Sequence, residues 1–382
     1  MVGEMKLDEG VKARATNLYA GKLFPSDVME TAQHTQALFP TRKISKGARV
    51  KANEDNDVSI ADLTFMSGGN EYDLYDYMAH NHVYGLHVAQ DGKKLYDRYE
   101  FNVTPDTLWM SMSMAKSVST TLVGVAVRDG FIQSLNDPLA KYLPAVTGSA
   151  YEKVTVRQLI TMTSGVDWDD THTDENSDRR HMLSLQLNGQ SGAIFDYLCE
   201  RPQRAAPGTR WNYSTGETHL VGELVRAASG KWLSDYLSEK IWAPMGAQSD
   251  AMWWLEAPGG LEVAGAGICA TLPDYVRFGS FMLNDGVIDG LRVLPDGWSA
   301  EAASPTVASE GSRHYGYMWW PVKDPDGSYT SGAYSARGIF GQYIYINPKK
   351  RLVIGVVSAR PKPRFSEVIQ DDDFFNAVAA RV

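Results

Sequence analysis

The chain has 382 residues, 43% hydrophobic and 22% charged, long enough for two structural lobes and apolar enough to build their core. A net charge of −9 with no Lys/Arg stripe argues against nucleic acid as a partner, and no apolar run is long enough to cross a bilayer. Met1–Gly10 is polar and mixed in charge, unlike a basic-then-apolar leader. Cys199 and Cys269 lack metal-type spacing, so free thiols in a reducing cytoplasm are expected.

Residues 1–55, with Pro25, Pro40 and a basic patch from Arg42 to Lys51, read as a short helix and an irregular arm. From Tyr84 two alternating runs flank Asp91-Gly92, a strong hairpin signal. An apolar helix follows from about Ser113 and closes at Asp129-Gly130. Residues 134–262 are rich in helices and loops. Their clearest pieces are Glu217 to Ala228, ending at Ser229-Gly230, and Trp232 to Trp242, stopped by Pro244. Pro273 to Leu283 reads as a further helix. A second hairpin joins Gly341–Asn347 to Arg351–Ser358, and Asp371 to Val382 is a terminal helix whose acidic triplet suits the positive end of its dipole. Strands at both ends with helices between predict an α+β fold. An antiparallel sheet flanked by helices is built from 56–133 and 263–382, with a mostly helical lobe inserted at 134–262 and the arm outside both.

Ser113-Met114-Ala115-Lys116 is the most informative stretch. A Ser and a Lys three residues apart share one helix face. A serine hydroxyl needs a neighbour to take its proton, and a lysine does so when burial or a nearby cation lowers its pKa. The helix start also supplies unpaired N–H groups for an oxyanion. The competing reading is a Ser N-cap with Lys116 reaching outward to solvent. Farther on, Pro207-Gly208 leads into Trp211-Asn212-Tyr213-Ser214-Thr215 just before a helix. A phenol presented there can exchange a proton beside a lysine, although a loop tyrosine commonly serves only packing.

These segments together resemble the serine β-lactamase and penicillin-binding-protein superfamily. They come nearest to its class C-like branch, which includes family VIII carboxylesterases and 6-aminohexanoate-dimer hydrolase. Ser113–Lys116, Tyr213-Ser214-Thr215 and Gly338-Ile339-Phe340-Gly341-Gln342 are similar to the three active-site elements. Supporting stretches are Leu159–Gly165, Ala266-Gly267 with Thr271–Phe278, and Tyr315–Trp320, in the family's order. The resemblance implies a β-lactamase/transpeptidase-like fold. It implies Ser113 as the acylated nucleophile, Lys116 as holder or relay of its proton, and Tyr213 as base and then acid. The backbone amides of Ser113 and Ile339 would form the oxyanion hole. Trp168, His172, Thr215, Trp319, Arg337, Phe340 and Gln342 would contact substrate. Two positions depart from the pattern: Thr215 stands where Asn is usual, and Ala336-Arg337-Gly338 stands where β-lactamases carry Lys-Thr-Gly. Recognition of a β-lactam carboxylate is therefore doubtful, and Arg337 is the candidate substitute.

Other constellations carry less. His80-Asn81-His82 lacks a third ligand and reads as a surface pair. The acidic run Asp167–Glu175 lacks a calcium loop's turn glycine and reads as a solvated loop at the site mouth. No Gly-x-Ser-x-Gly elbow is present. The expectation is a serine hydrolase without cofactor or metal, forming an acyl-enzyme on a small-molecule ester or amide. Homodimerisation is left open, and no nucleic acid or membrane partner is expected. Trp109, Trp211, Trp319 and Trp320 suggest an apolar acyl pocket. Carboxylic esters rank ahead of linear amides because an amide's leaving nitrogen must be protonated, and the spacing does not show whether Tyr213 reaches it. β-Lactam hydrolysis would be a side activity of the same nucleophile, and a non-catalytic scaffold is the distant alternative.

Overall fold

The computed structural model describes residues 8–51, 60–306 and 314–382, with the backbone of 54–55. The strands are β1 (Thr41–Ile44), β2 (Glu54–Asp55), β3 (Thr64–Ser67), β4 (Asn70–Asp73), β5 (Val83–Gln90), β6 (Lys93–Tyr99), β7 (Leu108–Met110) and β8 (Ala251–Trp254). They continue as β9 (Ile268–Thr271), β10 (Val287–Ile288), β11 (Leu291–Arg292), β12 (Trp320–Pro321), β13 (Tyr334–Gly338), β14 (Gln342–Asn347) and β15 (Leu352–Ser358). The helices are α1 (Glu9–Tyr19), α2 (Pro25–Gln33), α3 (Leu74–His80), α4 (Met114–Arg128), α5 (Val156–Ile160) and α6 (Asp178–Asn188). Then come α7 (Ala193–Cys199), α8 (Thr215–Ser229), α9 (Leu233–Leu237), α10 (Leu272–Leu283), α11 (Trp298–Ala303) and α12 (Asp371–Arg381).

The large sheet runs β12-β13-β14-β15-β5-β6-β2, antiparallel except where β2 lies parallel to β6. Its centre joins the two ends of the chain, with Leu352 opposite Gln90 and Val356 opposite Leu86. The turn between β5 and β6 places Asp91 at φ 50° and Gly92 at φ 77°, the left-handed pair that a two-residue hairpin needs. Each face buries its own apolar cluster. One gathers α10 and α4, and the other gathers α3 and α12 around Tyr77, Tyr345, Phe374 and Phe375. The strands are accordingly apolar on both faces rather than alternating: every residue of β14 and β15 is buried.

A smaller sheet, β1-β8-β9-β7, draws its strands from widely separated segments. The arm is therefore more ordered than the composition suggests: it contains α1, α2 and an edge strand. Its basic patch is neutralised locally, with Arg42 2.8 Å from Glu262. The helix expected over Trp232–Trp242 divides into α9 and a wider π-type turn over Ser238–Trp242. Among the described residues no helix is long and apolar enough to cross a membrane.

Candidate active site

The site begins where β7 hands over to α4. Between them Met112 sits at φ 45°, a left-handed conformation that costs a non-glycine residue energy. This bend delivers Ser113 to the N-cap position of α4, yet its side chain makes no capping hydrogen bond. Lys116 Nζ lies 3.1 Å from Ser113 Oγ and 2.9 Å from the carbonyl of Gly265. The lysine points inward and is 1% exposed, which disposes of the solvent-reaching alternative. Burial pushes its pKa down to about 7, while the Asp170 carboxylate pulls it up and the Arg179 guanidinium pushes it further down. Near neutral pH a large fraction of Lys116 is therefore free amine, able to accept a proton.

Tyr213 arrives from the strip before α8, which is pinned at several points. Asn212 donates its backbone N–H to Met162 O and its side-chain amide to Trp168 O, both at 3.0 Å. Ser214 caps α8 by accepting from Glu217 N at 3.0 Å. Asp170 accepts from the Thr215 backbone at 2.8 Å and its hydroxyl at 3.2 Å. The Tyr213 phenol then comes under the influence of the Ser113 hydroxyl, which favours its ionised form, and Lys116 Nζ stands 5.2 Å from the Tyr213 ring centre. Desolvation of the phenol, helped by Asp170, raises its pKa above the ordinary tyrosine value, so it keeps its proton. Trp211, Tyr315 and Trp320 surround the ring, with centroids 6.3, 6.0 and 5.9 Å away.

The third wall is β13. A Cβ on Gly338 would stand 2.7 Å from the carbonyl of Ser111, so only glycine lets this strand lie against the Ser113 turn. Ile339 follows directly, and among the described residues neither its amide nor that of Ser113 has a hydrogen-bond acceptor. Two unspent N–H groups on adjoining segments are the raw material of an oxyanion hole.

The other candidate contacts separate into several environments. Trp319 is fully buried, stacked on Phe278 and edge-on to Tyr334, and belongs to the core; its neighbour Trp320 faces the site. Trp109 is likewise core. Phe340 and Gln342 are also fully buried, and Gln342 braces the turn after β13 by accepting from Phe340 N at 3.2 Å. Their expected substrate contacts are thus corrected: both shape the turn from inside. Thr215 spends its hydroxyl on Asp170 rather than on a ligand. Arg337 is partly exposed but tied to Asp372 at 3.0 and 3.2 Å, with its guanidinium 5.9 Å from the Trp320 ring. Trp168 donates to Asp170 at 2.7 Å and lines a cavity of about 280 Å³ that Ser113, Lys116 and Tyr213 do not line. His172 stacks on Tyr19 of α1, and burial pushes its pKa down to about 3, so it is neutral behind the site.

The acidic run is a solvated loop only in part. Asp169 and Asp174 are exposed, but Asp170 is 8% exposed and acts electrostatically on Lys116 and Tyr213. Buried Arg179 balances it. Sequence reasoning missed both, because adjacent acids in one loop carry no sign of which one turns inward. Asn81, between the surface histidines, is fully buried and anchors the segment before α12 through Ile369.

This geometry agrees with comparisons to known proteins. The Beta-lactamase family profile matches residues 74–375. The chain is 27% identical over 290 residues to the 6-aminohexanoate-dimer hydrolase of Paenarthrobacter ureafaciens, covering 72% of each. It is 25% identical over 319 residues to a Beta-lactamase of Yersinia enterocolitica, covering 74% of this chain and 73% of that one. A solved structure from Bacillus anthracis, described as a 6-aminohexanoate-dimer hydrolase, superposes with a TM-score of 0.80 at 21% identity, over 96% of this chain and 95% of that one. A profile match over most of the chain, laid on a fold of that kind, shows that the protein belongs to the Beta-lactamase family, as a serine hydrolase of the β-lactamase and penicillin-binding-protein superfamily.

Proposed function

We propose that the protein hydrolyses short linear amides, and esters of similar acyl shape, through an acyl-enzyme on Ser113. The observation that carries this reading is Lys116 Nζ standing 3.1 Å from Ser113 Oγ and 5.2 Å from the centre of the Tyr213 ring, so that all three groups meet in one place. Lys116, as free amine, takes the Ser113 proton, and Oγ attacks the carbonyl carbon. The oxyanion meets the amides of Ser113 and Ile339. Tyr213, still protonated, hands its proton to the leaving nitrogen as the C–N bond breaks. An amide needs that donation far more than an ester does, because an amide anion is a very poor leaving group. Proximity of the phenol to the reacting oxygen therefore moves linear amides ahead of esters, and the relative from Paenarthrobacter supports the same order. Water then deacylates the enzyme with the proton transfers reversed. Two unpaired cysteines support a reducing, cytoplasmic setting.

The test is a panel of p-nitrophenyl esters graded by acyl length, the linear 6-aminohexanoate dimer and a chromogenic cephalosporin. We expect turnover of the dimer and of short esters, with the cephalosporin slowest. Tyr213→Phe should lose about 100-fold or more on the amide and clearly less on an activated ester. Ser113→Ala should abolish labelling by a fluorophosphonate probe. Ester turnover without any dimer hydrolysis would return the assignment to a carboxylesterase, and labelling that survives in Ser113→Ala would remove Ser113 as nucleophile.

A further inference from the structure

We propose a second site, independent of the acyl-enzyme chemistry: a divalent transition-metal position formed by His219, Glu223 and Glu256. His219 and Glu223 are four residues apart on α8 and share one of its faces. Glu256 comes from the loop after β8. One ligand atom from each residue can be chosen so that all three lie within 4.8 Å of one another. His219 Nε2 is 3.5 Å from Glu256 Oε2, a charge contact too long for a good hydrogen bond. That spacing is close to the edge of a tetrahedron with metal–ligand bonds of about 2.0 Å, which is roughly 3.3 Å.

Buried polar groups normally find hydrogen-bond partners. His219 is fully buried, yet neither ring nitrogen has a hydrogen-bond partner, and Glu256 Oε2, on a residue 2% exposed, has none either. Of these atoms, His219 Nε2 and Glu256 Oε2 face one another across the cluster. The other oxygen, Glu256 Oε1, is held by the backbone N–H of Gly192 at 3.1 Å and, more weakly, that of Leu261 at 3.4 Å. Such outer contacts are what orient a ligating carboxylate. The cluster sets one imidazole and two carboxylates together in a largely dry setting. Arg226, which also acts on Glu223 from the same helix, lays its guanidinium over the Trp232 ring at 4.2 Å and donates to the Gly230 carbonyl. A divalent cation would neutralise the pair and satisfy the imidazole at once.

Imidazole with two carboxylates suits zinc, with water in the fourth position. Glu223 is partly exposed and gives the ion an entry path. A cation here would tie α8 to the loops carrying Gly192 and Glu256. The position lies a helical turn beyond Thr215, on the body of α8 rather than at the end that presents Tyr213.

The experiment is isothermal titration of the EDTA-dialysed full-length protein with zinc chloride, with cobalt(II) visible absorption as a second readout. We expect one saturable zinc per chain, a four-coordinate cobalt spectrum, and at least tenfold weaker binding in Glu223→Gln and His219→Gln. Ester turnover by Glu223→Gln should match wild type, which separates this outcome from any failure of the proposed hydrolysis. Should His219→Gln not fold, the partly exposed Glu223→Gln decides. Absence of saturable zinc binding in the wild type, or unchanged affinity in the variants that fold, overturns the proposal.

Discussion

The chemistry at residue scale turns on a lysine kept partly deprotonated by burial. Since Lys116 must be free amine to accept the Ser113 proton, kcat/KM should rise with pH through an acid limb near 7. The neighbouring charges set where that limb falls. Asp170 stabilises the ammonium, so Asp170→Asn should move the limb to lower pH. Arg179 destabilises it, so Arg179→Met should move the limb upward, each by about half a pH unit or more. A pH–rate profile on one activated ester measures both shifts. Shifts in the same direction, or none, would show that the two charges do not govern Lys116. Asp170→Asn should also weaken the tether of Thr215, so some loss of kcat at the plateau is expected as well.

Among the elements, the site depends on how closely β13 approaches the turn into α4. Gly338 lies against that turn, and a methyl group there would collide with the Gln342 side chain and the Ser111 carbonyl and push the strand away. The Ile339 amide would move with it. Gly338→Ala should therefore lower kcat by about 100-fold while changing KM much less, as loss of one oxyanion donor does. Retention of kcat in a folded variant would take Ile339 out of the oxyanion hole. The same logic explains why α8 begins where it does. Ser214 caps it, Asp170 holds Thr215, and Gly216 leaves room for Trp168, whose ring atoms would come within 2.7 Å of a Cβ there. Three separate segments must agree before Tyr213 reaches Ser113.

Stability of the whole molecule carries a signature of the buried acid behind this assembly. Glu217 lies fully buried against Ser164, and burial pushes its pKa up to about 8. Between its unfolded value and about 8 the folded chain binds the extra proton. Its contribution to stability is therefore complete at low pH and is lost as pH rises toward 8. A single group of this kind gives a slope of at most about 1.4 kcal/mol per pH unit. Glu217→Gln should flatten the decline in Tm between pH 5 and 8 and make the variant relatively more stable at pH 8. Melting curves across that range check it, and an unchanged slope would assign the pH dependence to other groups.

Local pattern determined much of this protein. The hairpins at β5–β6 and β14–β15, the helices α4, α8 and α10, and the Ser113–Lys116 pair are written in turn residues, apolar spacing and an i,i+3 relation, all of which act within a few residues. Its place before a helix and the family resemblance point to Tyr213, but its position beside Lys116 depends on loops 162–170 and is a property of the packed molecule. So is the division of neighbouring tryptophans, where Trp319 enters the core and Trp320 faces the site. So is the inward turn of Asp170 among exposed acids, and the meeting of His219 with Glu256. Which of two adjacent side chains is buried depends on the surface that arrives opposite, and that surface comes from distant parts of the chain. Periodicity predicts elements, whereas long-range packing decides which of their side chains meet.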